Sequence, residues 1–288
     1  MQWILIFDPM SQTYAIIDIE TTGRSHMGQK VTEIAIIIHD GEKVIDEYQT
    51  LVNPETSIPY SITQLTGIHD EMVQHAPKFY EVARQVYEMT EGHIFVAHNS
   101  AFDYGVLKSE FGSLGGTFER EQLCTVKLSR KLLPGHASYS LGKLSADLDI
   151  PINGRHRAYG DAEATAKLLD ILLLKARDLG IDELTSNDVS KIPKIPPLLD
   201  LDTYTNLPQS TGVYYIYDQH GELIYIGKAN NIKQRLRSHF SDKSRKERTL
   251  FEATADIKYE ITGSELIALL HESDEIKKHQ PRLNRALK

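Results

Sequence analysis

Residues 14–20 of the chain read Tyr-Ala-Ile-Ile-Asp-Ile-Glu, a run rich in β-branched residues that is followed by a Thr-Thr-Gly turn. The run predicts a strand, and side chains alternate along a strand, so Asp18 and Glu20 share one face. Nearly continuous hydrophobicity is typical of a buried central strand, where two neighbouring carboxylates are costly. A bound divalent cation would offset that cost. The alternative is an acidic, solvated strand end.

The elements around this strand indicate an α/β fold. Two more β-branched runs follow at 31–39 and 44–52, and Asp40-Gly41 between them predicts a hairpin. A further strand is predicted over 93–97, and helical periodicity over 80–89, 100–111, 140–148 and 161–179. Strands come first and helices are interleaved later, which is typical of the α/β class.

Length and proline content divide the chain. Its 288 residues are enough for two domains. Four of its 11 prolines lie at 193, 196, 197 and 208, which predicts an extended linker. We expect a first domain at 1–190, a linker at 191–207 and a second domain at 208–288. Residues 1–9 are expected to form a loose extension, with Met10 as an alternative start.

Composition excludes several classes of protein. The chain is 41% apolar and 25% charged, unlike disordered or collagen-like proteins. One cysteine, Cys124, forms no intramolecular disulfide and fits a reducing compartment. The apolar run at 3–7 is too short for a signal sequence or a membrane span. We therefore expect a cytoplasmic protein, nucleoid-associated if bacterial, with no membrane partner.

The net charge of −8 by itself argues against a nucleic-acid partner, because neutralising phosphates requires Lys and Arg. The charge is unevenly distributed, however. Residues 1–180 carry 16 basic and 24 acidic side chains, whereas 228–248 carry eight basic and two acidic ones. The sequence therefore predicts that segment 228–248 supplies most of the salt-sensitive affinity for a nucleic acid, and that the first domain binds DNA poorly without metal.

Three acidic or basic residues further along the first domain also have ordinary explanations. Asp103 ends His-Asn-Ser-Ala-Phe-Asp at 98–103, where Ser100 and Asp103 fit a helix capping box. Asp161 suits the first turn of its predicted helix. His156, in Gly-Arg-His-Arg-Ala, has the character of a loop residue when it is considered alone.

Considered together, these residues resemble the DEDDh 3′–5′ exonuclease superfamily. Asp-x-Glu on the first strand, Asn-x-x-x-Asp about 80 residues later and His-x-x-x-x-Asp nearly 60 after that match its motifs, over residues 13 to about 178. The chain is similar there to the DNA polymerase III epsilon-like proofreading exonucleases. The resemblance implies a ribonuclease H-like fold, a mixed sheet with flanking helices.

The same resemblance implies roles for individual residues. Two Mg²⁺ or Mn²⁺ ions would be held by Asp18, Glu20, Asp103 and Asp161. His156 would be the general base, since an imidazole changes protonation state near neutral pH. Contacts to the 3′-terminal nucleotide would come from Thr21, Thr22 and Asn99.

In the second domain, two strands are predicted on either side of the loop at 218–221. Pairing 217 with 222 places Tyr214 directly opposite Tyr225 on one face of the hairpin, and an aromatic packing pair is the alternative. Helices are predicted over about 231–240 and 265–279.

The two predicted helices carry further candidates. Arg235 and His239 lie one turn apart and share a face, which could also be a solvated basic face. Glu272 has no basic residue three or four positions away, so it is a candidate metal ligand, unless a distant arginine pairs with it.

These residues together resemble the GIY-YIG nuclease family, in particular the N-terminal nuclease domain of UvrC. The matching residues are Gly-Val-Tyr, Tyr-Ile-Gly-Lys-Ala, Asn-Ile-x-x-Arg-Leu-Arg-x-His, a late Glu and Gln-Pro-Arg-Leu-Asn, over about 208–286. The resemblance implies a small α/β domain. His239 stands where the UvrC-type pattern often has tyrosine.

The GIY-YIG resemblance also assigns roles. Glu272 would bind one divalent metal, and Tyr225 or Tyr214 would help to deprotonate the nucleophilic water. Arg235 and Lys228 would stabilise phosphate charge. His239 would support the site, and Asn284 is predicted at the substrate.

Two complete patterns in one chain predict a bifunctional, metal-dependent DNA nuclease, a 3′–5′ exonuclease joined to a structure- or damage-related endonuclease in DNA repair. The expected partners are single-stranded 3′ ends, branched or damaged duplex, and a DNA polymerase or repair complex. Two alternatives stay open. One is an RNA 3′-end exonuclease, and the other is a polymerase-associated proofreading subunit whose GIY-YIG domain binds DNA without cutting it.

Overall fold

The computed structural model describes residues 12–23, 28–181, 184–185, 189, 192–242 and 244–284. The chain divides into two compact units. The first comprises Met1–Arg130 and His136–Lys191, and the second comprises Lys131–Gly135 and Ile192–Lys288. The extension expected at 1–9 and the domain border expected at 190–191 lie outside the described residues. None of the helices in the described part of the chain is both long and apolar enough to cross a membrane.

The described residues of the first unit form a five-stranded sheet in the order β3-β2-β1-β4-β5. The strands are β1 (Tyr14–Thr21), β2 (Val31–His39), β3 (Val44–Leu51), β4 (Ile94–Ala97) and β5 (Gln122–Cys124). β2 runs antiparallel to both β1 and β3, whereas β4 is parallel to β1 and β5 is parallel to β4. The prediction that residues 14–20 form a buried central strand is confirmed.

Helices cover the sheet and position its acidic residues. They are α1 (Tyr60–Thr66), α2 (Asp70–Val73), α3 (Phe79–Thr90), α4 (Ala101–Ser113), α5 (Thr125–Leu132), α6 (Leu141–Asp147) and α7 (Ala158–Asp178). Ala15, Ile17 and Ile19 of β1 belong to a core shared with α3 and α4, whereas α7 lies against β1 and β2. Alternation along β1 therefore directs Asp18 and Glu20 away from that core. The predicted helices are found within three residues of their expected ends.

The described residues of the second unit form a three-stranded antiparallel sheet in the order β7-β6-β8. The strands are β6 (Gly212–Tyr217), β7 (Leu223–Ala229) and β8 (Asp256–Ile261), and the helices are α8 (Leu201–Thr205), α9 (Ile232–Ser241), α10 (Arg245–Ala253) and α11 (Glu265–His279). β6, β7, α9 and α11 follow the predicted pattern. β8 was not predicted, because most of its residues are exposed and its sequence carries charges.

The predicted linker is not an extended segment. Helix α8 lies inside it and buries Leu201 and Tyr204. The helix is capped by Asp200, whose side chain accepts a hydrogen bond from the Asp202 N–H. The prolines at 196 and 197 precede this helix, so they restrict the backbone conformation only of the segment that leads into it. The described part of the segment belongs to the second compact unit.

The predicted pairing within the hairpin of the second unit is also wrong. The β6–β7 register shifts between Ile216 and Tyr217, so that Tyr214 faces Gly227 and Ile216 faces Tyr225. A bulge adds a residue to one strand and moves the register beyond it. The two tyrosines are diagonal neighbours on one face, with their ring centroids 6.1 Å apart.

Candidate active sites

A cluster of carboxylates lies where β1 meets the first turns of α4 and α7. One oxygen from each of Asp18, Glu20 and Asp161 lies within 4.8 Å of the others. Asp103 lies beside them, and its Oδ1 accepts the Ile19 N–H at 3.3 Å. The capping-box interpretation of Asp103 is wrong, since its partner is β1 and Ser100 makes no side-chain cap. The structure thus brings all four predicted carboxylates together.

Burial and mutual repulsion change the acidity of this cluster. Burial raises the pKa of Asp18 well above its usual value, and the neighbouring charges, that of Asp103 first, raise it further. Burial also raises the pKa of Glu20 to about 8, with Asp161 adding to the effect. The pKa of Asp103 is raised to about 7 by burial. Carboxylates that are this close together and this well buried need a nearby positive charge if all of them are to be ionised at the same time.

The cluster fits divalent cations. Asp161 Oδ2 accepts the backbone N–H of His156 at 3.3 Å, whereas its buried Oδ1 has no hydrogen-bond partner among the described residues. A buried carboxylate oxygen without a partner is costly unless a cation binds it. The donors are all carboxylate oxygens, which Mg²⁺ and Mn²⁺ prefer over softer ligands.

His156 lies in the turn immediately before α7 and adopts a left-handed conformation, with φ of 61°. The residue after it is tied to the sheet. The Arg157 guanidinium pairs with both carboxylate oxygens of Glu33, and Nε lies 3.0 Å from Oε2. The Glu33 carboxylate also accepts the Ala158 N–H at 2.9 Å. In the sheet, Glu33 of β2 lies opposite Glu20 of β1. This Glu33–Arg157 clamp holds the turn beside the cluster.

The clamp was not predicted from the sequence. Its only signal was an acidic residue in β2, a strand that is mostly apolar. Such a residue needs a partner when it is buried, and Glu33 is 5% exposed.

Two of the three residues predicted to contact a nucleotide, Thr21 and Thr22, directly follow Glu20 in the chain. Thr21 and Thr22 are both buried, and the Thr22 hydroxyl accepts the Lys30 N–H at 3.1 Å, which joins the end of β1 to the start of β2. Asn99 is exposed just before α4, with a left-handed φ of 81° that asparagine tolerates. A cavity of about 230 Å³ lies between β1 and α1 and is lined by Glu20, Thr21, Ile62, Leu65, Thr66 and Phe102.

In the second unit, two tyrosines and a histidine form one aromatic group. Tyr214 is fully buried, and its hydroxyl lies 2.6 Å from Nε2 of His239 on α9. Tyr225 is half-buried, with its ring centroid 5.5 Å from that of His239. Burial raises the pKa of both phenols, whereas the charge of Arg235 lowers it. Arg235 and His239 thus share the face of α9 that the sequence predicted.

The charged residues of this site lie at the open edge of the same sheet. Glu272 of α11 accepts the Lys228 N–H at 2.9 Å, and burial raises its pKa. The Lys228 ammonium lies 3.1 Å from Glu265. A groove of about 410 Å³ opens beside them and is lined by Lys228, Asn230, Asn231, Gln234, Arg235 and Glu265. A half-buried carboxylate beside a basic groove fits one hard cation next to a phosphate.

Asn284 does not face this groove. Its side-chain oxygen accepts the Ile226 N–H at 2.8 Å, and its side-chain nitrogen donates to the Ile226 carbonyl at 2.7 Å. Both groups lie along the outer edge of β7, where a strand otherwise leaves its backbone unpaired. The amide thus makes a structural contact with the strand, and its contact with the substrate stays a prediction.

Comparisons with known proteins identify two nuclease domains in the chain. A family model described as Exonuclease matches residues 15–169, and a model of the UvrC-like GIY-YIG domain matches residues 210–285. Exonuclease X, solved in complex with 5′ overhanging duplex DNA, superposes with a TM-score of 0.50 and 28% identity, over 62% of this chain and 98% of that one.

Two sequence relatives extend the comparison. The 3′–5′ exonuclease DinG of Bacillus subtilis is 39% identical over 170 residues, which is 58% of this chain and 18% of DinG. A Mycobacterium tuberculosis protein, provisionally named a bifunctional exonuclease/endonuclease, is 32% identical over 250 residues, which is 82% of this chain and 38% of that protein. The chain thus spans well under half the length of either relative. It belongs to the exonuclease family, with a ribonuclease H-like first domain, and it carries a UvrC-like GIY-YIG domain, which makes it a nuclease by family.

Proposed function

We propose that the chain is a bifunctional DNA nuclease that depends on divalent cations. The first unit removes nucleotides from 3′ ends, and the second unit cuts internal phosphodiester bonds. One observation supports this proposal, namely that each unit brings together, from residues far apart in the sequence, groups that a metal-dependent nuclease can use. A binding module has no use for a buried carboxylate cluster, since phosphates are bound by basic groups.

In the first unit, Asp18, Glu20, Asp103 and Asp161 would hold two Mg²⁺ or Mn²⁺ ions. When bound, these ions stabilise the negative charge of the attacking and leaving oxygens. His156 is the general base that takes a proton from the attacking water. The cavity beside Glu20 and Thr21 has the apolar wall of Ile62, Leu65 and Phe102, which suits the base of the terminal nucleotide.

In the second unit, Glu272 would hold one Mg²⁺ or Mn²⁺ ion, which supplies the same kind of charge stabilisation when bound. Arg235 stabilises the phosphate as charge develops on it. Tyr225 is the phenol that accepts the water proton, because it is half-buried whereas Tyr214 is completely enclosed.

A circular single-stranded DNA tests the proposal, because it has no 3′ end for the first unit. With Mg²⁺, we expect the Asp18→Asn variant to cut the circle but to release no labelled 3′-terminal nucleotide from a linear strand. Glu272→Gln should show the reverse pattern. Asp46→Asn on β3 and Asp274→Asn on α11, both exposed, are the matched controls. A single substitution that removes both activities would contradict two separate sites.

DNA is the proposed substrate because segment 228–248 is strongly basic and because exonuclease X binds duplex DNA with a 5′ overhang. Matched DNA and RNA strands, labelled at the 5′ end, distinguish the substrates of the first unit. Faster shortening of the DNA strand supports the proposal, whereas faster shortening of the RNA strand would show an RNA 3′-end exonuclease.

A further inference from the structure

A carboxylate from α10 lies behind the GIY-YIG site. Glu247 Oε2 is 2.5 Å from Nδ1 of His239, whose Nε2 is the atom that contacts the Tyr214 hydroxyl. The side chains of His239 and Glu247 are only 3% and 15% exposed. We propose that Glu247 is a positioning residue of the endonuclease site, acting through His239 on the two phenols. This inference rests on the proposed endonuclease function.

The donors and acceptors available on Glu247, His239 and Tyr214 set the direction of the hydrogen bonds between them. A carboxylate has no hydrogen to donate, so Nδ1 of His239 carries the hydrogen of that bond. In a neutral imidazole the other nitrogen is then an acceptor, so Tyr214 donates its hydroxyl to Nε2. Without Glu247, either ring nitrogen could carry the hydrogen, and the Tyr214 hydroxyl would lose its fixed direction.

The effect reaches Tyr225 through packing, because the Tyr225 ring centroid lies 5.5 Å from that of His239 and 6.1 Å from that of Tyr214. With the Tyr214 hydroxyl committed to His239, the three rings hold one arrangement, and the half-buried Tyr225 keeps its position in the site. Glu247 thus fixes the geometry of the phenol that takes the water proton in the proposed endonuclease.

Two structural roles compete with this one. First, Glu247 lies in the first turn of α10, where an acidic side chain stabilises the helix. Second, it lies within the basic segment 228–248, where its charge could offset the neighbouring positive charges. Glu252 on the same helix provides the matched control. It pairs with Arg248 at 2.9 Å, but its side chain is 58% exposed, whereas that of Glu247 is 15% exposed.

The experiment uses the full-length chain with Mg²⁺ and the circular DNA. We expect Glu247→Ala to lower kcat for cutting by about 10-fold or more, with KM nearly unchanged, as the loss of a carboxylate that orients a histidine does elsewhere. Glu252→Ala should cut at the wild-type rate, and both variants should retain wild-type exonuclease rates. Glu247→Gln, which keeps an acceptor oxygen, should recover part of the lost rate.

A second measurement does not depend on any variant folding correctly. ¹⁵N shifts of the histidine rings in the wild-type protein should show His239 with its hydrogen on Nδ1, and a hydrogen on Nε2 would overturn the inference. If Glu272→Gln stops cutting but Glu247→Ala cuts at the wild-type rate, the inference is wrong and the endonuclease stands. If the wild-type protein leaves the circle intact, the proposed endonuclease fails, and the inference fails with it.

Discussion

At the residue scale, the acidity of the first site predicts how the metal-free protein responds to pH. A carboxyl group whose pKa is raised by folding stabilises the fold below its unfolded pKa, and this stabilisation is lost as pH rises through the folded value. Those folded values are about 7 for Asp103 and about 8 for Glu20. With EDTA present, we expect the melting temperature of the first unit to fall as pH rises from about 4, the ordinary pKa of these carboxyl groups, to about 8.

Mg²⁺ should restore most of that loss, because cations remove the repulsion between the carboxylates. Asp18→Asn should flatten the pH dependence in EDTA by removing one charge. Thermal unfolding followed by circular dichroism checks both expectations. A melting temperature in EDTA that does not change across this range would show that the carboxylates repel each other much less than their spacing indicates.

A glycine between the phenols gives a second prediction at this scale. A Cβ added to Gly227 would collide with the Tyr214 hydroxyl and with the ring of Tyr225. Gly227→Ala should therefore displace the phenols, cost about 1–3 kcal/mol in overpacking, and reduce cutting of the circular DNA. Exonuclease activity should not change. Gly112→Ala on α4, where an added Cβ meets open space, is the control.

At the element scale, the Glu33–Arg157 clamp joins β2 to the start of α7. Arg157→Gln removes hydrogen bonds to a buried carboxylate, which costs about 2 kcal/mol and loosens the turn that holds His156 and Asp161. We expect exonuclease kcat to fall while circular DNA is cut as before. Arg84→Gln, which breaks an exposed ion pair on α3, should leave both rates unchanged. Wild-type exonuclease kcat in Arg157→Gln would contradict the role of the clamp.

A further prediction at this scale concerns Asn284 at the edge of β7. Asn284→Ala leaves the Ile226 N–H and carbonyl without their side-chain partner, which costs about 1–3 kcal/mol. The melting temperature of the second unit should fall while KM for DNA stays unchanged. An increase in KM at an unchanged melting temperature would instead support the substrate contact that the sequence suggested. Thermal unfolding and steady-state cutting rates measured on the same variant separate the two outcomes.

At the scale of the whole molecule, charge is divided between the units. The net charge is −8, yet segment 228–248 carries eight basic side chains. Replacing Lys233, Arg237 and Arg245 by Gln should weaken DNA binding and lower the slope of log K against log salt by about 1 for each lost phosphate contact. Three Lys→Gln changes at 108, 127 and 143 in the first unit are the control. Equal effects from both sets would contradict the predicted role of the segment.

Much of the architecture can be predicted from the sequence, because it depends on local patterns. The alternation of residues 14–20 indicates a central strand with two carboxylates on one face, and the α/β class follows from the order of the elements. Motif spacing placed Asp103 and Asp161 with them, since each begins a helix that returns to the same sheet. Short or charged elements such as β8 and α8 were missed, because their stability comes from neighbours and not from their own periodicity.

Contacts between distant segments could not be predicted. The sequence determines which residue types are available, namely four carboxylates, a histidine, two tyrosines, an arginine and a late glutamate. Only the tertiary structure pairs Glu33 with Arg157, turns Asn284 onto the edge of β7, and places Glu247 behind His239. The physical reason is that a buried polar group must find a partner in space, and partners many residues away leave no periodic signal in the chain.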